Sequence, residues 1–213
     1  DLVHSVWHVD KGILFTIKEL FTRPGHSVRE YIQGKRVNYF SFITLILLLL
    51  AVAGFLNPYL KVTISDLMSE NSRKMMNVIE KFTTSYPKIT MLITLPISAF
   101  FSFIWFRRSK LNYSEHLVLE SYKIIPLLLI GLLYSVLCIF YTNTVVLSIL
   151  YFGVIYVLGM VYSTWFYYQF FSGYNYSKKQ LIFRSIMVQV TFIALSFLIG
   201  IILGTLKAVG IMH

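Results

Sequence analysis

Three ionisable residues beside an apolar run, Glu115, His116 and Glu120, are the first candidates for chemistry in this sequence. On a helix, Glu120 follows His116 by one turn on the same face, whereas Glu115 points about 100° away from His116. His116 and Glu120 could together relay protons or supply half of a metal site. His4 and His8 have the same spacing and could supply the other half.

A structural role for this polar patch is the competing interpretation. Asn112 or Ser114 can cap a helix, and Glu115 then stabilises the positive end of its dipole. The patch can also be a buried polar anchor for the basic N-terminal stretch, and snorkelling at the membrane margin is enough to explain Glu120 and Lys123. We favour the polar anchor and expect neither a metal nor a cofactor.

The second candidate site is a group of cations near the start of the chain, where arginine's planar fork suits phosphate oxygens. Its members are Lys11, Lys18, Arg23, Arg29, Lys35 and Arg36. They could bind an anionic lipid headgroup or a phosphorylated ligand beside the membrane. They could equally be the usual cytoplasmic excess of basic residues that sets the orientation of a first span.

Short amphipathic helices would position these cations. Asp10 can cap a helix over residues 11–21, which is too short and too charged to span a bilayer and suits the interface. Pro24 can begin a second short helix, and Gly34 can end it. Residues 1–9 can form a further interfacial or docking helix. We therefore expect a cytoplasmic interfacial region that ends near residue 37.

The rest of the chain, residues 38–213, is expected to be a five-helix transmembrane domain. The sequence is 57% hydrophobic, with a mean hydropathy of +0.70, whereas soluble domains are about 45–50% apolar. Runs of about 20 apolar residues match a bilayer core about 30 Å thick. The expected spans are about 40–56, 89–106, 124–141, 145–171 and 182–206. The fold class is thus an all-α, polytopic integral membrane helical bundle.

The segment between the first two spans, residues 57–87, is polar and is expected to lie outside, with an amphipathic helix. Met75, Met76, Ile79 and Phe82 would form the apolar stripe of that helix. Pro96 should kink the second span, and Pro126 lies near the start of the third.

Basic residues are concentrated on one side of this arrangement. In a chain with five spans, successive loops lie on alternate sides of the membrane. The same side then carries the N-terminal stretch, residues 107–110 and residues 178–184, all of which are basic, and this predicts a cytoplasmic N-terminus and an outside C-terminus. The formal net charge of +10 then indicates contact with anionic lipid rather than with nucleic acid. The same topology is found, by analogy only, in the Yip-type membrane-trafficking proteins.

Two further patterns concern packing. In the fifth span, small residues recur at every fourth position and would allow a neighbouring helix, within the fold or in a second copy, to approach closely. These residues are Ser196, Gly200, Gly204 and Ala208. The end of the fourth span is rich in aromatic residues, which predicts an interfacial belt at residues 162–171.

Two segments resemble one known family. The pattern DKG-x-L-x-T-x-KEL-x-x-RPG, which starts at Asp10, and the run from Asn112 to Val118 are similar to the bacterial domain-of-unknown-function family 3667. The resemblance implies a multi-pass protein of the bacterial inner (cytoplasmic) membrane and implies no activity. Family members often carry an N-terminal zinc ribbon, for which this chain has no CxxC pair.

The sequence favours a non-enzymatic role. It has no GxxxxGK[ST], HExxH or GxSxG motif, and no span has a row of charges. The leading hypothesis is a scaffold or adaptor that binds lipid or protein through its basic N-terminal stretch. The partners would be anionic membrane lipids, a protein or a second copy. The alternative is a small-molecule or ion transporter or channel with His116 and Glu120 near the pathway. The weakest is a lipid-modifying enzyme with His116 and Glu115 or Glu120 as acid and base.

Overall fold

The computed structural model describes the backbone of residues 2–208 and the side chains of residues 12–70 and 72–200. In that part of the chain the protein has eight helices and no strand. The helices are α1 (Leu2–Thr22), α2 (Pro24–Ile32), α3 (Phe42–Leu56), α4 (Glu70–Ser85), α5 (Pro87–Trp105), α6 (Tyr113–Phe140), α7 (Thr144–Phe171) and α8 (Lys178–Ala208).

Five of these helices, α3 and α5 to α8, are long and apolar enough to cross a membrane. The expected all-α fold with five spans is therefore confirmed, and the chain has the character of a multi-pass membrane protein. Helix α6 begins at Tyr113, as the predicted cap at Asn112 implies, and thus extends about three turns ahead of the expected third span. Its early start follows from Asn112 and Glu115, which form a capping box there.

The N-terminal region differs from the prediction. Residues 2–22 form one continuous helix, so the predicted cap at Asp10 is wrong and Asp10 lies inside α1. Neither proline nor a run of turn-forming residues interrupts this stretch, which explains its continuity. The chain breaks at Arg23, and Pro24 begins α2 as predicted. Gly34, with φ of +106°, follows the end of α2 in the left-handed region that favours glycine.

The two N-terminal helices pack against the bundle, α1 against α6 and α2 against α6 and α7. Leu20 and Val28 are fully buried in the main core. Gly25 makes the closest approach, because an added Cβ there would overlap the main-chain nitrogen of Phe170 and the carbonyl oxygen of Phe166. Only glycine lets α2 cross α7 at this distance.

Helices α5, α6, α7 and α8 form a ring in which each helix contacts its two neighbours, and α3 packs on the outside of α6. We call the end of this ring that carries α1 and α2 the basic end, because exposed cations are concentrated there. These cations are Lys18, Lys35, Arg36, Arg107, Arg108, Lys110, Lys178 and Lys179. At the opposite end, α4 lies beside α8, with Met75 next to Gly200.

Helix α4 is present where the sequence predicts an amphipathic helix, at Glu70–Ser85. Met75, Met76 and Ile79 are half-buried, but Phe82 is exposed, so the predicted stripe is one residue shorter than expected. Glu80 also helps to position the preceding loop, since its carboxylate accepts hydrogen bonds from the amides of Ile64 and Ser65 at 3.1 and 3.0 Å.

Candidate functional site

An ion pair lies inside the bundle on α6. The side chain of Glu120 is 1% exposed and that of Lys123, less than one turn further along, is 11% exposed. The prediction that these two residues snorkel at the membrane margin is therefore wrong. Because α6 starts at Tyr113, Glu120 lies about two turns inside the helix and cannot reach its end.

Three donors converge on the carboxylate of Glu120. The Tyr167 hydroxyl donates to Oε1 at 2.6 Å, the Ser98 hydroxyl donates to Oε2 at 2.5 Å, and the ammonium group of Lys123 donates to the same Oε2. A carboxylate that accepts three hydrogen bonds and donates none has the pattern of the ionised form. The carboxylate of Glu120 on α6 thus links its own helix to α5 and α7.

Lys123 makes further contacts in the same cluster. Its Nζ donates to the Tyr167 hydroxyl at 2.6 Å and lies 4.8 Å from the centroid of that ring. Its distance to Ser98 Oγ is 3.5 Å, which is long for a hydrogen bond. Glu120, Lys123, Ser98 and Tyr167 form what we call the buried polar cluster.

A cavity of about 540 Å³ lies within the ring of α5 to α8 and is bordered by the buried polar cluster. Along α6 its lining changes from Glu120 and Lys123 to Ile124, Leu127 and Ile130. Helix α8 contributes Gln189 and otherwise mainly apolar residues. The cavity is therefore charged toward the basic end and apolar along most of its length.

One wall of the cavity is irregular. Residues Ile149–Ile155 of α7 form a π-helical turn, and Tyr151 and Ile155 from this turn line the cavity. Such turns are rare and frequently occur at functional sites. The extra residue per turn brings Tyr151, Ile155 and Tyr156 onto the same wall.

Aromatic side chains close the bundle between the buried polar cluster and the basic end. The rings of Phe106 and Phe171 stack with centroids 3.7 Å apart, and Tyr176 meets Phe106 edge-on at 5.6 Å. Phe166, Tyr167, Phe170 and Phe171 are fully buried. The predicted interfacial belt is therefore wrong for these four residues. Helix α2 packs against Phe166 and Phe170, whereas the rings of Tyr167 and Phe171 stack on Phe106 inside the bundle.

His116 lies in this aromatic layer and does not line the cavity. It is fully buried, its Nδ1 lies 2.9 Å from Ser102 Oγ, and its Nε2 has no hydrogen-bond partner among the described residues. Its ring stacks on Phe171 with centroids 5.9 Å apart. No hydrogen bond joins His116 to Glu120 in the described part of the chain, so the geometry of the predicted relay is not formed.

Glu115 and the histidines have separate positions. The carboxylate of Glu115 accepts a hydrogen bond from the amide of Asn112 at 2.7 Å, which confirms its capping role. His4 and His8 lie outside the residues whose side chains are described. Among the side chains that are described, no group of three or more His, Cys, Asp or Glu residues could hold a metal ion.

Two of the N-terminal cations have partners within the protein. Arg23 Nε pairs with Glu19 Oε2 at 2.5 Å. The guanidinium of Arg29 donates to the carbonyl oxygens of Phe170 and Gln169 at 3.0 and 3.3 Å. Arg29 therefore supplies donors to carbonyl groups at the C-terminal end of α7. Its positive charge also interacts favourably with the negative end of the helix dipole.

The other N-terminal cations lie at the surface. Lys18, Lys35 and Arg36 are exposed, and Lys35 has only a loose ion pair with Glu30 at 3.9 Å. Arg36 lies over the ring of Tyr31 at 5.3 Å from its centroid. The side chain of Lys11 lies outside the described part. Of the five predicted cations whose side chains are described, only Arg29 is docked into the bundle; Arg23 pairs with Glu19 but is itself exposed, and the other three lie at the surface.

The small residues of α8 do not all face the same neighbour. Gly200 is buried, and a Cβ there would lie 3.6 Å from Met75 Cε of α4. Ser196 is exposed and lines the cavity. Gly204 and Ala208 belong to α8 but lie beyond the described side chains.

Comparison with known proteins agrees with the resemblance seen in the sequence. The model of a family described as "Protein of unknown function (DUF3667)" matches residues 10–54. The resemblance is confirmed over this segment. It covers much of α1, all of α2 and most of α3, and it includes Gly25 and Arg29, which dock α2 onto α7. No curated protein and no solved structure matches the chain.

Sequence reasoning missed Ser98 and Tyr167 as members of the site. Ser98 is an ordinary polar residue in an apolar span, and Tyr167 is one of several aromatic residues near the end of α7. The available signal was the pair of opposite charges at Glu120 and Lys123, since charges inside a span are costly and need partners.

Proposed function

We propose that the chain is a membrane-embedded binding protein for a small amphipathic molecule, which it holds in the cavity inside the ring formed by α5, α6, α7 and α8. The observation that carries this proposal is the position of Glu120 and Lys123 at one end of an otherwise apolar cavity. A molecule with one polar group and an apolar body matches that distribution. The cavity volume of about 540 Å³ lies within the range of about 300–1,000 Å³ common for small-molecule sites.

The cost of the buried ion pair supports a functional role. Desolvation of two charges can exceed their mutual attraction, and apolar replacements are often as stable. Stability alone therefore does not explain why Glu120 and Lys123 lie inside the bundle. Ionisable residues within membrane helices are by default candidates for a functional site.

The walls of the cavity indicate where a ligand enters. Tyr156 and Ile193 line the cavity and are also exposed on the apolar surface of the bundle. An amphipathic molecule dissolved in the bilayer therefore has a route to the cavity that avoids the aromatic layer at the basic end.

Transport is the more specific form of this proposal, with Glu120 rather than His116 beside the path. Pro96 in α5 and Pro126 in α6 are sites where these helices can bend.

Binding is tested with three probes that share one alkyl chain and differ in the head: dodecanesulfonate, dodecanol and dodecyltrimethylammonium. Each is mixed with the protein in mild detergent, and retention is measured by native mass spectrometry. We expect the wild type to retain at least one of them.

A variant that fills the cavity makes the experiment specific. Gly159 lines the cavity, and a Cβ there meets only Leu127 Cδ2, at an ordinary 3.6 Å, so the Cβ of Gly159→Leu fits and the larger side chain takes up space at the cavity wall. Gly54 of α3 lies outside this cavity and has open space around its Cβ position, so Gly54→Leu is the matched control. Retention should fall in the first variant only. Equal retention in both variants, or no retained probe in the wild type, would overturn the proposal.

A second candidate function is contact with an anionic membrane surface at the basic end. The observation that favours it is Val37, which is 97% exposed directly after Lys35 and Arg36. An exposed apolar residue beside surface cations is a common arrangement in segments that lie at the lipid headgroups. This candidate is the part of the scaffold hypothesis that the surface cations still support.

A further inference from the structure

We propose that the ligand is an amphipathic anion that binds together with one proton, with the proton on Glu120 and the anionic head on Lys123. This inference rests on the proposed binding function and names its ligand class. The head is a carboxylate, a phosphate or a similar oxyanion, and the body is a single apolar chain.

Lys123 is the member of the ion pair that remains available. An ammonium group has three donors, and here two make short hydrogen bonds, to Glu120 and to Tyr167, while the third has only Ser98 Oγ at 3.5 Å. Lys123 is also the more exposed partner. A ligand atom that approaches the polar end of the cavity therefore meets a donor, and an oxyanion is the strongest acceptor for it.

The surrounding charge also favours an anion. The exposed cations of the basic end and the net charge of +10 give this end of the bundle a positive potential. A cationic head at Lys123 would meet a like charge in a medium of low dielectric constant. The apolar chain would then lie along Ile124, Leu127 and Ile130 of α6.

Charge balance requires the proton. Glu120 and Lys123 together are neutral, so an anion that binds alone would leave one uncompensated negative charge in the bundle, which is strongly unfavourable. If Glu120 takes up one proton, Lys123 pairs with the ligand and the cluster is neutral again. The proton comes from water or from the ligand's own acid form, and no other bond is made or broken.

The groups that face Glu120 allow this exchange. On α6 they are Lys123 and, one turn earlier, His116; α7 presents Tyr167 and α5 presents Ser98, while α8 contributes the neutral Gln189 to the cavity. The Ser98 hydroxyl can rotate and accept a hydrogen bond from the protonated carboxyl. The Tyr167 hydroxyl can continue to donate to Oε1. The protonated side chain therefore keeps partners for its oxygen atoms.

The test measures the affinity of dodecanesulfonate as a function of pH, because this head does not titrate and any linked proton belongs to the protein. We expect affinity to fall about tenfold per pH unit between the pH at which Glu120 loses its proton in the free protein and the higher pH at which it loses it in the ligand-bound protein. Glu120→Gln mimics the protonated carboxyl, so its affinity should be independent of pH. Dodecanol and dodecyltrimethylammonium should bind more weakly than the anion to the wild type.

A second pair of variants isolates Lys123. The single change Lys123→Gln leaves Glu120, which is 1% exposed, without its cation and can prevent folding, whereas Glu120→Gln leaves the more exposed Lys123, which still donates to Tyr167. The double variant Glu120→Gln/Lys123→Gln avoids this, and its affinity for dodecanesulfonate should be at least about tenfold lower than that of Glu120→Gln. Lys123→Arg in the Glu120→Gln background keeps the positive charge and should restore most of the affinity.

The outcomes separate this inference from the function on which it rests. If none of the probes binds, the binding function fails. If dodecanol or the cation binds as well as the anion, or if the affinity of the wild type does not change with pH, the binding function stands and this inference is overturned. Competition of dodecanoate and dodecyl phosphate against dodecanesulfonate then distinguishes a carboxylate ligand from a phosphate ligand.

Discussion

The Tyr167 hydroxyl donates a hydrogen bond to Glu120 Oε1 at 2.6 Å and so joins α7 to α6 inside the bundle. The two residues lie 47 positions apart in the sequence. A buried carboxylate needs donors from several directions, and a single helix supplies only those within one turn. The ionised state of Glu120 thus depends on the assembly of three helices.

Loss of this donor should weaken the fold. In Tyr167→Phe, Glu120 keeps Ser98 and Lys123 but loses the hydrogen bond at Oε1, and we expect a loss of about 1–3 kcal/mol. Thermal unfolding in detergent measures the change. Tyr168→Phe is the matched control, since Tyr168 is half-buried and its hydroxyl makes no hydrogen bond to the described residues. Equal midpoints for the two variants would contradict the role assigned to Tyr167.

The docking of α2 onto α7 should not tolerate a methyl group at Gly25. In Gly25→Ala the new Cβ meets main-chain atoms of Phe166 and Phe170, which cannot move aside as a side chain can. We expect a loss of about 1–3 kcal/mol or more, measured by thermal unfolding. Gly54→Ala, in open space on α3, is the control and should be neutral or slightly stabilising. An unchanged midpoint in Gly25→Ala would show that the two helices are further apart than described.

The contact between His26 and Arg29 should make this docking sensitive to pH. Burial lowers the pKa of His26, and the nearby guanidinium groups of Arg29 and Arg23 lower it further. Arg29 Nη2 lies 2.7 Å from His26 Nδ1, and it can donate only while that nitrogen is unprotonated.

Because the pKa is lower in the folded state, the unfolded state binds more protons below about pH 6.5. The stabilisation is complete above that value and is lost as the pH falls through the lowered pKa of His26. The thermal midpoint should therefore decrease less on acidification in His26→Gln than in the wild type. Parallel pH profiles would count against this assignment.

The exposed N-terminal cations should account for any retained anionic lipid. We expect Lys18→Gln/Lys35→Gln/Arg36→Gln to lose bound phosphatidylglycerol in native mass spectrometry without a change in the thermal midpoint, because these side chains lie at the surface. The control is Arg107→Gln/Arg108→Gln/Lys110→Gln, which removes the same charge at the same end of the bundle. Equal losses would indicate a general positive field rather than a site at the N-terminal region.

Hydropathy was sufficient to predict the spans, because lipid exposure demands apolar residues over a fixed length. The predicted fourth span, 145–171, differs from α7 by one residue. The breaks at Pro24 and Gly34 were also predictable, since backbone restrictions of proline and glycine are local.

The candidate site was less predictable because it depends on which helices meet. Snorkelling at the membrane margin was an explanation for Glu120 and Lys123 because nothing local shows that Ser98 of α5 and Tyr167 of α7 reach this part of α6. Phe166 and Phe171 were assigned to an interfacial belt because nothing local shows that α2 packs against Phe166 or that Phe106 stacks on Phe171. Periodicity and composition describe one helix at a time, whereas burial at these positions is a property of neighbouring helices.

The contacts of Gly25 and Arg29 with the end of α7 also bear on how the protein is made. The hydrogen bond from the Gly25 amide to Gln169 spans 144 residues, so α2 leaves the ribosome long before its partner exists. At about 5–20 residues per second, this interval is roughly 7–30 s. During that time the first two helices lack α7, and for most of it they also lack α6. Maturation of the N-terminal region must therefore follow insertion of the fourth span, and a chain truncated before α7 should leave that region accessible to proteases.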